Sequence, residues 1–270
     1  MPKTHPHLAA GLLAGASLLA ASAEARQARH ADTVLELRQY TLHPGRRDAL
    51  IELFEQNFVE GQEAGGMAIP GQFRDLDDPD RFVWLRTFRD MPARARALND
   101  FYFGPVWQAN RDAANTTMVD SDNVLLLRPA LPGSALTPSE AERPPLGAKG
   151  DGPGLVVAEI LYLRAPVDPA FLTFFQTEAA PELARAGAKV LGLYVTETAP
   201  NTFPQLPVRN GEQVVVWFTS YPDGTAYEQR RAVLRQSEAW RAVRGRLSLW
   251  SHQPIQTLRL QPTARSRLHG

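Results

Sequence analysis

The residues with the clearest chemical potential lie in one alternating segment, residues 34–42 (Val-Leu-Glu-Leu-Arg-Gln-Tyr-Thr-Leu). Side chains of a β-strand point alternately to its two faces, so Glu36, Arg38 and Tyr40 share one face while Leu35 and Leu37 share the other. Leucines suit the face of a sheet that packs against helices. We therefore expect the polar row to face a cleft on the opposite side of the sheet.

A second segment, residues 81–88, predicts a neighbouring strand on which Trp84, Arg86 and Phe88 share one face. If the two strands lie side by side, their polar and aromatic side chains form one patch. The candidate ligand-binding residues are Glu36, Arg38, Tyr40, Trp84, Arg86 and Phe88. A guanidinium group matches a carboxylate or phosphate, and apolar walls with few polar groups are typical of a ligand pocket.

This patch allows three interpretations, and the sequence leaves all three open. Arg38 and Arg86 could bind the anionic or carbonyl group of a small molecule. They could instead stabilise negative charge that develops in a reaction, with Glu36 or Tyr40 transferring a proton. Finally, Glu36 could form a structural ion pair with either arginine, because buried charges must be paired in any case. No catalytic residue is assigned.

Other chemistries find little support in the sequence. The chain has no cysteine, which excludes thiol nucleophiles, disulfides and thiolate metal sites. His43 follows the first strand and His252 precedes the last, and neither belongs to a cluster with metal-ligand spacing. Arg94, Arg96 and Arg111 fall on a predicted helical stretch and are interpreted as its solvated face. We expect no metal and no cofactor.

The chain also repeats itself, which predicts a tandem duplication. The matched pairs Trp84/Trp217, Asp90/Asp223, Trp107/Trp240 and Pro129/Pro262 are all separated by 133 residues. The first strands are matched by pairing Glu36 with Glu159, which are separated by only 123 residues. The longer separation of the later pairs indicates an insertion in the second copy, in the loop of residues 198–211, where extra length costs little. In the second copy Arg38 becomes Leu161 and Arg86 becomes Thr219. We therefore expect one asymmetric site, in the first copy.

Each copy predicts the order βαββαβ, which defines a ferredoxin-like α+β unit. Predicted strands of the first copy cover residues 34–42, 67–74, 81–88 and 123–128, and its helices cover 48–58 and 90–115. Predicted strands of the second copy cover residues 156–163, 189–197, 213–219 and 255–260, and its helices cover 169–185 and 225–244. The domains are residues 33–129 and 155–262, separated by a Pro/Gly-rich linker (130–154) and followed by a loose tail (263–270).

Residues 1–25 predict a cleaved signal peptide. Residues 8–21 form an apolar run too short to span a bilayer, and Ala21-Ser22-Ala23 and Ala23-Glu24-Ala25 both have the form of a cleavage site. A periplasmic or secreted location follows. Lys+Arg and Asp+Glu balance at 29 each, so we expect no nucleic-acid partner, and no stable membrane span after cleavage.

Residues 36–45 (Glu-Leu-Arg-Gln-Tyr-Thr-Leu-His-Pro-Gly), a glycine-containing second strand, Trp84 on the third strand, and Trp107 ahead of a leucine-rich strand closed by Pro129 together resemble the NIPSNAP family. The resemblance covers nearly all of the first copy and, weakly, the second. It implies the dimeric α/β-barrel architecture, in which two ferredoxin-like units pack sheet to sheet around a cleft, here within one polypeptide as an intrachain pseudo-dimer. Further self-association is left open.

The resemblance implies no universal catalytic residue. We therefore predict an exported NIPSNAP-like barrel protein that binds an acidic or carbonyl small molecule. One alternative is a cofactor-independent oxygenase or isomerase of the same barrel superfamily. The other is a structural or protein-interaction module whose cleft is filled by its own side chains.

Overall fold

The computed structural model describes residues 32–270, so the predicted signal peptide lies outside the described part of the chain. The strands are β1 (Val34–Leu42), β2 (Ala68–Asp75), β3 (Arg81–Phe88), β4 (Met118–Asp120), β5 (Val124–Pro129), β6 (Leu155–Tyr162), β7 (Lys189–Thr196), β8 (Val214–Tyr221) and β9 (Gln256–Pro262). The helices are α1 (Arg47–Leu53), α2 (Val59–Ala64), α3 (Met91–Tyr102), α4 (Pro105–Asn115), α5 (Pro169–Phe174), α6 (Ala180–Arg185), α7 (Gly224–Gln236) and α8 (Glu238–Trp250). No helix of this described part is long and apolar enough to cross a membrane.

Eight of the strands close into one antiparallel barrel. Their order around it is β3-β2-β9-β6-β8-β7-β5-β1, and β1 pairs with β3 to close the circle. The short strand β4 adds to the end of β1 outside this circle. Closure leaves the eight strands without a free edge, so their backbone hydrogen-bonding groups find partners within the sheet.

The predicted fold class, two ferredoxin-like units packed sheet to sheet, is therefore wrong. The halves share a single hydrogen-bonded sheet: Phe73–Asp75 pairs with Leu260–Pro262, and Leu127–Pro129 pairs with Tyr194–Thr196. An unpaired strand edge in either half would leave backbone N–H and C=O groups without partners, and pairing edge to edge satisfies them. Alternation of polar and apolar residues reveals the two faces of a strand. It does not reveal which strands lie at the edge of the sheet.

The interior of the barrel is filled by apolar side chains from both halves, so the predicted cleft between two sheets is absent. These buried residues include Leu35, Leu37, Val83, Leu85, Leu125, Leu127, Val156, Ala158, Ile160, Val214, Val216, Phe218, Leu258 and Leu260. The cluster joins strands of both halves and contains no residue of a helix, which places it inside the barrel. Leu35 and Leu37 are fully buried there.

The helices cover the outside of the barrel in two layers. Helices α1–α4 pack on the outer face of β1, β3 and β5, and helices α5–α8 pack on β6, β7 and β8. Glu36, Arg38 and Tyr40 therefore lie under helices, and the prediction that the leucine face meets the helices is reversed. Leu35 and Leu37 pack instead with apolar side chains of the other strands, so the leucine face of β1 goes inward together with the buried Gln39.

Aspartate caps begin the helices where the sequence predicted a start. Asp90 Oδ1 accepts a hydrogen bond from the Ala93 amide (2.6 Å), and Asp223 Oδ1 accepts one from Ala226 (2.7 Å). Gly104 and Pro105 separate α3 from α4, so the predicted helical stretch 90–115 consists of two helices. A feature without a sequence signal is a π-helical turn in the first helical stretch of each half, Phe54–Phe58 and Phe175–Ala179. Such turns are frequent at functional sites.

The last eight residues, predicted as a loose tail, pack against the first half. Thr263 is fully buried, and Leu268 joins the apolar cluster inside the barrel. Arg265 Nη1 donates to the Glu55 carbonyl oxygen (2.5 Å), and Thr263 Oγ1 donates to Glu55 Oε1 (2.5 Å). Polar residues at a chain end thus gave a misleading sign of disorder.

Candidate functional site

The six candidate residues come together on the outer face of β1 and β3. The two strands are neighbours, with Glu36 opposite Arg86 and Arg38 opposite Trp84. All six side chains are buried beneath the first-half helices. The structure brings the six side chains together between the sheet and the helices, and not between two sheets as expected.

Glu36 is the centre of this patch and contacts three guanidinium groups. Its Oε2 accepts from Arg38 Nη1 at 2.7 Å and from Arg86 Nη2 at 2.6 Å, and its Oε1 accepts from Arg94 Nε at 2.7 Å. Burial alone would raise the pKa of Glu36, but the charges of Arg86, Arg38 and Arg94 outweigh it and hold that pKa well below its ordinary value. Glu36 is therefore a permanent anion and a poor proton acceptor.

Arg94 is the partner of Glu36 that the sequence interpretation missed. It was assigned to a solvated helix face, but it is fully buried, whereas Arg96 and Arg111 are exposed as expected. A signal was present in the spacing, because Arg94 shares the buried face of α3 with Ala97, Leu98 and Phe101. We call Glu36, Arg38, Arg86 and Arg94 the arginine cluster.

The arginine cluster has an excess of positive charge. Three guanidinium groups face one carboxylate, and within the described residues no other carboxylate lies within ion-pair distance of them. Their remaining acceptors are neutral, since Arg38 Nε donates to Tyr40 Oη (2.9 Å) and Arg86 Nη1 donates to Gln62 Oε1 (2.9 Å). Burial, together with repulsion from Arg86 and Arg38, lowers the pKa of Arg94 despite its contact with Glu36.

Two donors at this location lack a partner among the described residues: Arg94 Nη2 and Trp84 Nε1 are buried and make no hydrogen bond. Buried polar groups in proteins are almost always hydrogen-bonded, so unpaired donors beside surplus positive charge indicate a missing acceptor. The arrangement is suited to an anion that would receive hydrogen bonds and balance the charge.

Aromatic rings surround the cluster and supply its apolar walls. The guanidinium carbons of Arg38 and Arg86 lie 5.4 Å and 5.0 Å from the centre of the Trp84 ring, and Phe54 packs on Trp84 at 4.7 Å. The π-helical turn carries Phe54 and Phe58 into this layer. Cation–π contacts offset part of the desolvation of the arginines. They supply no negative charge, so the excess remains.

A loop from the second half covers the arginine cluster. Within the predicted insertion, Asn201 Oδ1 accepts from Arg94 Nη1 at 2.9 Å and Thr202 Oγ1 accepts from the same atom at 3.2 Å. Phe203 is buried and stacks on Tyr102 at 5.7 Å. We call residues 201–206 the cover loop. The cover loop lies on Arg94 and separates the cluster from solvent. On the outer side, an open surface groove of about 500 Å³ runs between the loop and α3.

The second half does not reproduce this cluster. The Glu36/Glu159 pairing inferred from the sequence is shifted by two residues, because the cross-strand register sets Arg38 opposite Trp84 and Glu159 opposite Trp217. Glu159 therefore stands where the first half has Arg38. The predicted strand matching failed because the two first strands keep few identical residues to fix their alignment.

The two histidines considered in the sequence lie away from this site. His43 and His252 are both exposed, and within the described residues no three His, Cys, Asp or Glu side chains converge in a way that could hold a metal ion.

The buried Tyr40 has a raised pKa, because desolvation of its phenolate outweighs the nearby Arg38. Its phenol thus stays protonated and can donate, but not accept, a proton at neutral pH.

Comparison with solved structures shows the same fold in other proteins. An anthrone oxidase-like protein is 16% identical with a TM-score of 0.56, and the match covers 90% of this chain and 98% of that one. An inferred monooxygenase from Lactobacillus acidophilus NCFM is 13% identical with a TM-score of 0.52, and the match covers 87% and 97%. At these identities the likeness concerns the fold alone.

NIPSNAP proteins match a shorter part of the chain. A NIPSNAP family protein from Agrobacterium tumefaciens str. C58 is 19% identical with a TM-score of 0.34, and the match covers 47% of this chain and 95% of that one. No curated protein matches the sequence. The NIPSNAP family model matches residues 35–131. That matched segment contains the whole arginine cluster.

Proposed function

We propose that the first half of the chain binds a small organic anion at the arginine cluster. The observation that carries this proposal is the buried excess of two positive charges, three guanidiniums on one carboxylate, beside two unpaired donors. A carboxylate or a polarised carbonyl group on a planar apolar body fits both the guanidinium groups and the aromatic walls.

The alternative is a structural ion network, and charge balance separates the two. A network selected for packing alone would be neutral, because each unpaired buried charge is destabilising. One carboxylate cannot neutralise three guanidiniums. The cover loop also fits a binding role, since it contacts Arg94 through two neutral acceptors that a bound anion could replace.

Native mass spectrometry of gently purified protein tests this proposal most directly. We expect a retained small mass, or a mass gained on adding benzoate, that is lost in Arg86→Met and Arg94→Met. The matched control is Arg96→Met, which removes an exposed arginine from the same helix and should keep the ligand. A bare chain in every preparation, with no effect of benzoate, phosphate or sulfate on thermal unfolding, would leave only the structural network.

A second candidate function is cofactor-independent oxygenation, which the pair Tyr40 and Arg38 favours. The Tyr40 phenol is protonated and hydrogen-bonded to Arg38, so it could protonate an intermediate whose negative charge Arg38 and Arg86 stabilise. The low pKa of Glu36 argues against that carboxylate as the base. Fold neighbours named as an anthrone oxidase-like protein and an inferred monooxygenase make this reaction class worth testing.

Oxygen uptake with anthrone is a suitable assay, because oxidation of anthrone by O2 to anthraquinone releases one water and balances without a cofactor. Wild-type protein should consume oxygen, and Tyr40→Phe should fold normally and lose turnover while it still binds benzoate. Equal uptake by wild type and Tyr40→Phe would remove Tyr40 from any such reaction and leave binding as the function.

We also infer that the chain is exported, which the apolar run and small-x-small pattern within residues 8–25 support. N-terminal sequencing of the protein recovered from the periplasm or medium of an export-competent host should give a start after Ala23 or Ala25. A retained Met1 would contradict export through a cleaved leader.

A further inference from the structure

The second half carries a chemically different group at the position where the first half has its anion-recognising arginine. Arg38 lies opposite Trp84, and Glu159 lies opposite Trp217, so a cation on the first half corresponds to a carboxyl group on the second. The other members of the arginine cluster have no counterpart there. By the same register Glu36 and Arg86 correspond to Val157 and Thr219.

Glu159 has a sparse set of partners for a carboxyl group under a layer of helices. Its Oε2 accepts one hydrogen bond, from Trp217 Nε1 at 2.5 Å, and within the described residues Oε1 accepts none. No cation of the described chain forms an ion pair with it. Burial raises the pKa of Glu159 to about 7, opposed by the hydrogen bond from Trp217 and by the charge of Arg244 on α8.

The space around Glu159 is reachable from solvent. The side chain is half-buried, although Val157 and Leu161, its neighbours on the same face of β6, are buried. Helix α7, which stands over this part of the sheet, has no buried residue, whereas α3 of the first half has four. The second half therefore has a looser helical cover, where the first half has its sealed arginine cluster.

Aromatic rings border this space. Trp217 packs on Phe175 at 5.4 Å, and Tyr221 packs on Tyr227 of α7 at 5.2 Å. Both tyrosines lie close enough to Glu159 to feel its charge. A carboxylate with one free oxygen, near the partly exposed ring of Tyr227, has the chemistry that recognises an ammonium group, because the carboxylate supplies charge and an aromatic ring can add cation–π attraction.

We propose that the Glu159 space is a second binding site, which takes a small organic ammonium ion with Glu159 as its counter-ion. The partly exposed Tyr227 of α7 borders it, and the buried Trp217 holds the other carboxyl oxygen. The site is independent of the anion site, since it lies in the other half of the barrel and shares no residue with the arginine cluster. The chain would thus bind ligands of opposite charge in its two halves.

The test compares the binding of benzylammonium and of its neutral analogue benzyl alcohol to a protein that consists of residues 32–270. Binding is followed by calorimetry and by the indole N–H resonance of Trp217 in ¹⁵N-labelled protein. We expect benzylammonium to bind at least tenfold more tightly than benzyl alcohol and to shift the Trp217 resonance. Equal affinity of the two compounds would overturn the proposal, because the carboxylate would then contribute nothing.

Two variants separate the Glu159 site from surface charge. Glu159→Gln should weaken benzylammonium binding at least tenfold, whereas Glu178→Gln, which removes a surface carboxylate paired with Arg246, should leave it unchanged. Arg244→Gln should keep or strengthen binding, because it removes the nearest competing cation. A loss of binding in Glu178→Gln but not in Glu159→Gln would place the cation on the surface and overturn the proposal.

The pH dependence gives a check on the wild-type protein alone. The ammonium ion pairs with ionised Glu159, so its affinity should rise between pH 6 and pH 8, and binding should lower the pKa of Glu159 from its free value of about 7. The nearby tyrosines, Tyr221 and Tyr227, have pKa values raised by burial and do not change charge in this range, and Arg244 is the nearby cation. Affinity that is flat across this range would contradict the role of Glu159.

Discussion

At the scale of single residues, Glu36 and the arginines that surround it should differ sharply in their effect on stability. Glu36→Gln removes the single negative charge and leaves three buried guanidiniums facing one another, which should destabilise the fold by about 3–5 kcal/mol. Arg94→Met leaves Glu36 with two partners and reduces the excess charge, so its effect should stay within about 1 kcal/mol. Urea unfolding of both variants measures the difference. Equal losses in the two would contradict an excess of positive charge.

Glu36 and Glu159 should also give opposite dependences of stability on pH. The pKa of Glu36 is depressed in the folded state, so its contribution is present above its ordinary pKa of 4.5 and is lost as pH falls below it. The pKa of Glu159 is raised to about 7, so its protonated form is favoured in the fold. Stability from Glu159 is complete below pH 4.5 and is lost as pH rises through about 7, by up to roughly 3 kcal/mol.

Glu159→Gln isolates that second effect, because the amide mimics the protonated acid and cannot ionise. The variant should match wild type near pH 4.5 and exceed its free energy of unfolding at pH 8, as measured by urea unfolding at both values. Glu178→Gln, at an exposed ion pair, should show no such difference. A Glu159→Gln variant that is less stable than wild type at pH 8 would mean that Glu159 is ionised and paired in the fold.

The residues of the arginine cluster were largely predictable from sequence, and their orientation was not. Alternation along β1 and β3 grouped Glu36 with Arg38 and Arg86, because a period of two assigns every side chain to one of two faces. The same symmetry leaves open which face turns inward. Arg94 was missed for a related reason. Its residue type is typical of a solvated helix face, and only its spacing from the apolar residues of the helix shows that it lies on the buried face.

At the scale of elements, the cover loop should control access to the arginine cluster. Phe203 stacks on Tyr102, and Asn201 and Thr202 contact Arg94, so anion binding requires these contacts to open or rearrange. Phe203→Ala should speed both association and dissociation of benzoate by about tenfold or more with a smaller change in affinity, as stopped-flow tryptophan fluorescence would show. Leu249→Ala, at an exposed apolar side chain of α8 in the other half, is the control.

Most elements were visible in the sequence, and the exceptions share a physical cause. The predicted bounds of β1 and β3 match the structure, because alternation and flanking turn residues are local signals. The π-helical turns and the packed chain end were not predicted. Each depends on tertiary contacts, Phe54 on Trp84 and Arg265 on Glu55, that no local pattern encodes. The insertion of residues 198–211 was seen as a loop, but its position over the other half follows from barrel closure alone.

At the scale of the whole molecule, closure of the barrel makes each half depend on the other. The first half alone would expose the edges of β2 and β5, which pair with β9 and β7 in the intact chain, and one side of the apolar interior. Residues 32–134 expressed alone should therefore associate into a dimer that closes edge to edge, or aggregate, and should not persist as a monomer. Light scattering after size exclusion measures the mass. A folded monomer with a sharp unfolding transition would show that the first half folds independently, and the shared sheet would then be a consequence of linkage rather than a requirement of the fold.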